Sequence, residues 1–108
     1  MNTAFRDCIK ACLDCMEACN RCFDACLQED DSTMMADCIR LDRECADICA
    51  LAVKAMQAGS PFAKQICGLC ADICEACGNE CKKHTHEHCQ ACAEACFTCA
   101  EQCRSMAA

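Results

Sequence analysis

Cys12-Leu13-Asp14-Cys15-Met16-Glu17-Ala18-Cys19-Asn20-Arg21-Cys22-Phe23-Asp24-Ala25-Cys26 has the form C-x2-C-x3-C-x2-C-x3-C. Alternating steps of three and four average about 3.5, so all five cysteines fall on one stripe of an α-helix. Cys8 extends that stripe by one step. The same form recurs through Cys67, Cys70, Cys74, Cys77 and Cys81, and again through Cys89, Cys92, Cys96, Cys99 and Cys103. A sparser set, Cys38, Cys45 and Cys49, lies between them, and its stripe continues through Leu41 or Asp42, then Ala52 and Met56. Ile39, Leu41, Ile48, Leu51 and Val53 make this second segment amphipathic as well. Part of that apolar surface is expected to meet another subunit.

Punctuation between the stripes predicts four helices. Asn2 or Thr3 can cap the first, and Glu29-Asp30-Asp31-Ser32 is a polar break whose Asp31 or Ser32 can cap the second. Gly59 suits the residue just past a helix end, and Ser60-Pro61 a cap followed by proline at the first helical position. Thr85, in Lys82-Lys83-His84-Thr85-His86-Glu87-His88, is the expected cap of the fourth helix. Connections of a few residues favour antiparallel neighbours. The expected fold is therefore all-α, an antiparallel up-down-up-down four-helix bundle with a cysteine-lined core, formed by residues 1–108 as one domain.

Composition narrows the function. Cysteine contributes 19 of 108 residues, while Trp and Tyr are absent and Phe numbers four, so the usual core fillers are missing. A net charge of −7, from 17 acidic and 10 basic residues, gives no positive field for nucleic acid. No stretch approaches a membrane span, and Met1 to Cys8 lacks the apolar segment of an export signal. These features predict a cytoplasmic chain whose thiols stay reduced, and an odd cysteine count fits a closed disulfide framework poorly. No catalytic constellation is visible, so the chain is expected to bind rather than to catalyse.

Four inward stripes turn the bundle axis into a column of sulfur. Thiolates select Cu(I), Zn(II) or iron–sulfur clusters. One Cu(I) per thiolate leaves a buried core close to neutral, whereas each tetrathiolate zinc site carries a −2 charge and wants separate tetrahedral corners. Iron–sulfur ligation uses C-x2-C runs in loops, and a redox C-x-x-C comes singly after a strand. The alternatives kept beside Cu(I) storage are a metallothionein-like zinc or cadmium sink and a thiol redox protein.

The four arrays together resemble the copper storage protein family, and in particular its cytosolic bacterial members. The resemblance covers essentially the whole chain. It implies storage of many Cu(I) ions, up to about one per cysteine, by thiolates along the axis, and assembly into a homotetramer that buffers the cell against copper toxicity. The expected ligands are the 19 cysteines. His84, His86 and His88 cluster at the turn between helices three and four. His84 follows Cys81 by three positions and His86 precedes Cys89 by three, and Met34 and Met35 belong to the same end. Two readings of this end stand: exchangeable imidazole and thioether ligands where copper enters, or a solvated turn. The opposite end gathers Phe5, Phe62, Met56 and Met106 as a plug. Asp42 is expected at the boundary, leaning to solvent, because a carboxylate is a hard donor.

Overall fold

The computed structural model describes residues 3–108, with side chains from residue 5 onward. It contains α1 (Thr3–Gln28), a 3-10 turn (Ser32–Met35), α2 (Ala36–Gln57), α3 (Ala63–Cys81) and α4 (Glu87–Ala107). The bundle measures 44 × 18 × 17 Å. Its long axis is close to the length of α1, about 39 Å at 1.5 Å per residue. α1 packs on α2 and α4, and α3 packs on the same two; among the described residues the diagonal pairs make no close backbone approach. The section is thus a square with one helix at each corner, and each cysteine stripe faces its centre. All 19 cysteines are buried. Ala46, Ala71, Ala93 and Ala100 are buried beside the stripes, and Ala52 is a buried rung of the α2 stripe itself. No described helix is long and apolar enough to cross a membrane.

The connections follow the expected chemistry in part. Gly59 adopts φ 65°, a left-handed conformation open to glycine without a Cβ penalty. There the Ser60 N–H donates to the Ala55 carbonyl at 2.9 Å and the Gly59 N–H to the Met56 carbonyl at 3.4 Å. This is the paired ending that satisfies the last carbonyls of α2. Ser60 Oγ accepts from the Phe62 N–H at 3.1 Å, yet a turn intervenes and α3 begins at Ala63, two residues later than Ser60-Pro61 suggests.

The other expected caps are displaced. Asp31 precedes the 3-10 turn and Ser32 opens it, and Met35 precedes α2 with no side-chain cap. His86, extended at φ −60° and ψ 139°, replaces Thr85 at the start of α4. The imidazole of His86 instead reaches the carboxylates of Glu29 and Asp31, tying this turn to the end of α1. Thr3 is already helical, and Asn2 lies outside the described residues.

The ends also differ from expectation in detail. Met35 and Met56 are buried at opposite ends of the column, and Phe5 and Met106 pack partly buried against it. Phe62, expected in the plug, is 62% exposed, and Met34 is 79% exposed. Each sits on a turn whose backbone points its side chain away from the axis. On the side of the bundle, Gly78 admits the Phe97 ring: a Cβ at Gly78 would stand 2.8 Å from Phe97 Cε1.

Candidate metal centre

Sulfur ladders on single helices follow from helix geometry. Residues four apart stand about 5–6 Å apart at Cβ, and their sulfurs close to 3.6 Å for Cys22 and Cys26, 3.8 Å for Cys70 and Cys74, and 3.9 Å for Cys99 and Cys103. Helix pairing then joins the ladders. Cys38 and Cys81 approach to 3.3 Å, Cys45 and Cys74 to 3.5 Å, Cys15 and Cys45 to 3.6 Å, and Cys12 and Cys99 to 3.6 Å.

The outcome is a set of overlapping groups of four. Cys22, Cys26, Cys38 and Cys89 form one at the histidine end; Cys19, Cys77, Cys92 and Cys96 another; Cys15, Cys19, Cys45 and Cys96 a third; and Cys12, Cys49, Cys70 and Cys99 a fourth. Within each group all sulfurs lie within 4.8 Å of one another. With Cys15, Cys49, Cys74 and Cys99 as a further group, Cys15, Cys19, Cys49, Cys96 and Cys99 each belong to more than one, so these groups merge at shared corners, and the 3.3 Å approach of Cys38 to Cys81 links the end group to the rest of the column. Cys8 and Cys103, 3.6 Å apart, continue it toward the far end, where Cys67 is also buried.

The three-cysteine helix contributes fully. Cys38, Cys45 and Cys49 all face the axis, and the rung between Cys38 and Cys45 is Asp42. Contrary to expectation, Asp42 has no solvent exposure. Its Oδ1 accepts from the thiols of Cys77 at 3.3 Å, Cys92 at 3.3 Å and Cys81 at 3.5 Å, and its Oδ2 lies 3.8 Å from Cys38 Sγ. Strict alternation of four and three steps (38, 42, 45, 49, 52, 56) selects Asp42 over Leu41, so the signal for its burial was present in the spacing. What spacing omits is the ring of thiol donors that makes burying a carboxyl tolerable.

Ionisation in this core is uneven. Burial, then the charge of Cys92, pushes the Asp42 carboxyl up to about 8. Burial likewise pushes the Cys26 thiol up to about 11. Cys38 moves the other way, held down by hydrogen bonds from the Cys22 and Cys81 thiols. Cys81 is pushed up in return by Cys22 and Cys38. One thiolate is thus favoured at the expense of its neighbours' acidity, as expected where close thiols share protons.

The histidines divide. His88 Nδ1 stands 3.5 Å from Cys89 Sγ, 3.6 Å from Cys22 Sγ and 3.9 Å from Cys26 Sγ, directly over the end tetrad. His88 Nε2 is buried without a hydrogen-bond partner, with Glu29 Oε1 at 3.6 Å. His86 stacks on His88, ring centres 5.3 Å apart, but bonds to Glu29 and Asp31. His84 Nε2 lies 3.0 Å from Glu80 Oε2. Counting helical steps favoured His84 and His86, yet those residues occupy a turn, where helical spacing does not hold. His88 is the first-turn residue of α4 that reaches sulfur.

A buried column of free thiols with this spacing finds its counterpart in known proteins. The family model described as copper storage protein matches residues 1–108. This chain belongs to the copper storage protein family. An uncharacterized cysteine-rich protein, YhjQ, from Bacillus subtilis (strain 168), is 75% identical over 101 residues, covering 94% of each chain. The structure of Cu(I)-bound copper storage protein BsCsp3 superposes with a TM-score of 0.95 at 72% identity, over 98% of this chain and 100% of that one. A cytosolic copper storage protein from Streptomyces lividans, with five coppers, gives 0.93 at 38% identity over 96% of this chain and 92% of that one. In this copper storage protein, the four-helix bundle and the sulfur column belong to the same architecture.

Proposed function

We infer that this chain stores Cu(I), binding many ions through the thiolates of its core at up to about one per cysteine. The observation that carries the reading is the run of overlapping thiol tetrads along the axis. Trigonal ligation with bonds near 2.3 Å sets sulfur–sulfur edges of about 4.0 Å. The present separations of 3.3–4.0 Å need only small side-chain rotations to meet it. Each Cu(I) replaces one thiol proton, so filling changes the core's charge little, and the bundle can fill without exposing sulfur. Where two tetrads share two corners, as at Cys19 and Cys96, a trigonal ion can pass from one to the other by exchanging a single ligand.

All 19 cysteines are assigned as ligands, with His88 as the imidazole at the loading end. His84 and His86, beside Glu80, Glu29 and Asp31, form the acidic approach that draws a cation to that end. The whole chain acts as one domain, by binding rather than catalysis, in the cytoplasm and as a homotetramer. Exposed Leu51, on α2, supports the outer face of that helix as part of the contact between copies.

The test is an anaerobic titration of the fully reduced protein with Cu(I) against a competing chelator. Uptake near one ion per cysteine, with helical circular dichroism retained, is expected; saturation at one or two ions would sink the storage reading. Replacing His84, His86 and His88 together by alanine is expected to slow loading and leave capacity intact. An unchanged rate would remove the histidine end as the route in.

A further inference from the structure

Storage by the column leaves one atom at its loading end unexplained. His88 Nε2 is buried without a hydrogen-bond partner, while Nδ1 of the same ring faces the sulfurs of Cys89, Cys22 and Cys26 at 3.5, 3.6 and 3.9 Å. Among the described residues the one carboxylate paired with His88 is that of Glu29, whose Oε1 stands 3.6 Å from the buried nitrogen. Resting on the reading of His88 as the imidazole at the loading end, we propose that Glu29 is a positioning residue for copper loading. It accepts the Nε2 proton of His88 and so keeps the Nδ1 lone pair directed at a Cu(I) ion shared with the end tetrad.

Imidazole chemistry requires such an acceptor. A neutral ring carries one N–H and one lone pair, and only the nitrogen with the lone pair can bind a metal. The three sulfurs around Nδ1 can take a hydrogen bond from that nitrogen as well as share a metal with it. With the proton on Nδ1, His88 would donate to sulfur and could not bind copper there. Its Nε2 lone pair would then face the Glu29 carboxylate, and two acceptors repel, whereas an N–H facing a carboxylate is attracted. Glu29 therefore selects the tautomer with the proton on Nε2, the way a carboxylate orients a metal-binding histidine. A closure of about 0.6 Å brings the pair to an ordinary N–H···O distance of about 3.0 Å. Because Nε2 is buried, water does not take the acceptor's place.

Backbone and side chains both fix Glu29 in this place. It directly follows α1, and its N–H donates to the carbonyl of Cys26, a member of the end tetrad, at 3.3 Å. Its second oxygen, Oε2, lies 3.0 Å from His86 Nδ1, and His86 Nε2 lies 3.2 Å from Asp31 Oδ1. The His86 ring also stacks on the His88 ring, 6° from parallel. Asp31, His86 and Glu29 thus form a relay that ends on the nitrogen of His88 turned away from the sulfurs. Cys26 fixes the height of Glu29 on the axis, and His86 fixes the rotation of its carboxylate.

The experiment follows the histidine rings by nitrogen NMR in the reduced full chain, isotope-labelled at histidine, under anaerobic conditions. Ring nitrogen shifts separate N–H, lone-pair and metal-bound nitrogens, and the signals missing from His88→Ala assign that ring. A competing chelator sets the free Cu(I). Wild-type His88 is expected to carry its proton on Nε2 before loading and to show a metal-bound shift at Nδ1 as copper enters. In Glu29→Ala the free Cu(I) that half-shifts the Nδ1 signal should rise about 10-fold or more, and the copper-free ring should move toward the Nδ1–H tautomer. Asp31→Ala loosens the same turn but leaves the acceptor of His88 in place, so its His88 tautomer should match the wild type. Helical circular dichroism verifies that each variant is folded. The proposal is overturned by a wild-type Nδ1 that never shows the metal-bound shift, by a Glu29→Ala chain with the wild-type tautomer and half-point, or by an Asp31→Ala chain that changes as much as Glu29→Ala. Total Cu(I) uptake by the same wild-type sample separates these outcomes from failure of the storage reading: uptake near about one ion per cysteine leaves storage standing and removes only the role of Glu29.

Discussion

Replacing Asp42 by asparagine keeps the shape of the rung and removes its ionisation. In the folded apo chain burial, which disfavours the charged form, pushes the carboxyl up to about 8 from 3.8 for the free group. Between those values the native chain holds a proton that the unfolded chain has lost, so stability falls as pH rises. The contribution is fully present below pH 3.8 and is lost as pH climbs toward about 8. Each pH unit inside that window is worth about 1.4 kcal/mol. Between about pH 5 and pH 7.5 the wild type should therefore lose about 3 kcal/mol relative to Asp42→Asn. Anaerobic urea unfolding of the reduced, metal-free proteins, followed by circular dichroism, measures the two profiles. The remaining groups are common to both proteins, so the difference reports Asp42 together with the Cys22 and Cys26 thiols that its charge helps push up. Profiles that stay parallel to within about 0.5 kcal/mol would refute the claim that this carboxyl is buried and held neutral.

Two further outcomes follow from the packing. A Cβ at Gly68 meets only Ala107 Cβ at 3.7 Å, so Gly68→Ala should stabilise by about 1 kcal/mol through helix propensity. At Gly78 the added methyl meets the Phe97 ring, and Gly78→Ala should fall about 1–3 kcal/mol below Gly68→Ala in thermal unfolding; equal values would show that the ring yields freely. At the loading end, His88→Ala should slow Cu(I) uptake from a chelated donor more than His84→Ala or His86→Ala, because His88 Nδ1 alone of the three touches the Cys22, Cys26 and Cys89 sulfurs. Stopped-flow loading curves compare the three, and a ranking led by His84 or His86 would contradict it.

The repeating steps of three and four determined most of this molecule without reference to its tertiary structure. They settled the four helices, the face each one buries, and the soft chemistry of the core, because helical spacing is a local property of the chain. Family membership was legible for the same reason, since the arrays from Cys8 to Cys103 span almost the whole sequence. Local signals faded at the turns. Asp31 and Thr85 looked like caps, yet a 3-10 turn and the pairing of His86 with Glu29 and Asp31 moved both helix starts. Only the packing of four helices decided which cysteines share a tetrad, which histidine meets sulfur, and which groups surround Asp42. Each of these depends on what the other helices place around a residue: three thiol donors around the Asp42 oxygen, and the C-terminal end of α1 beneath His88. A stripe on one helix specifies which way a side chain points, and the helices across the axis specify what it finds there.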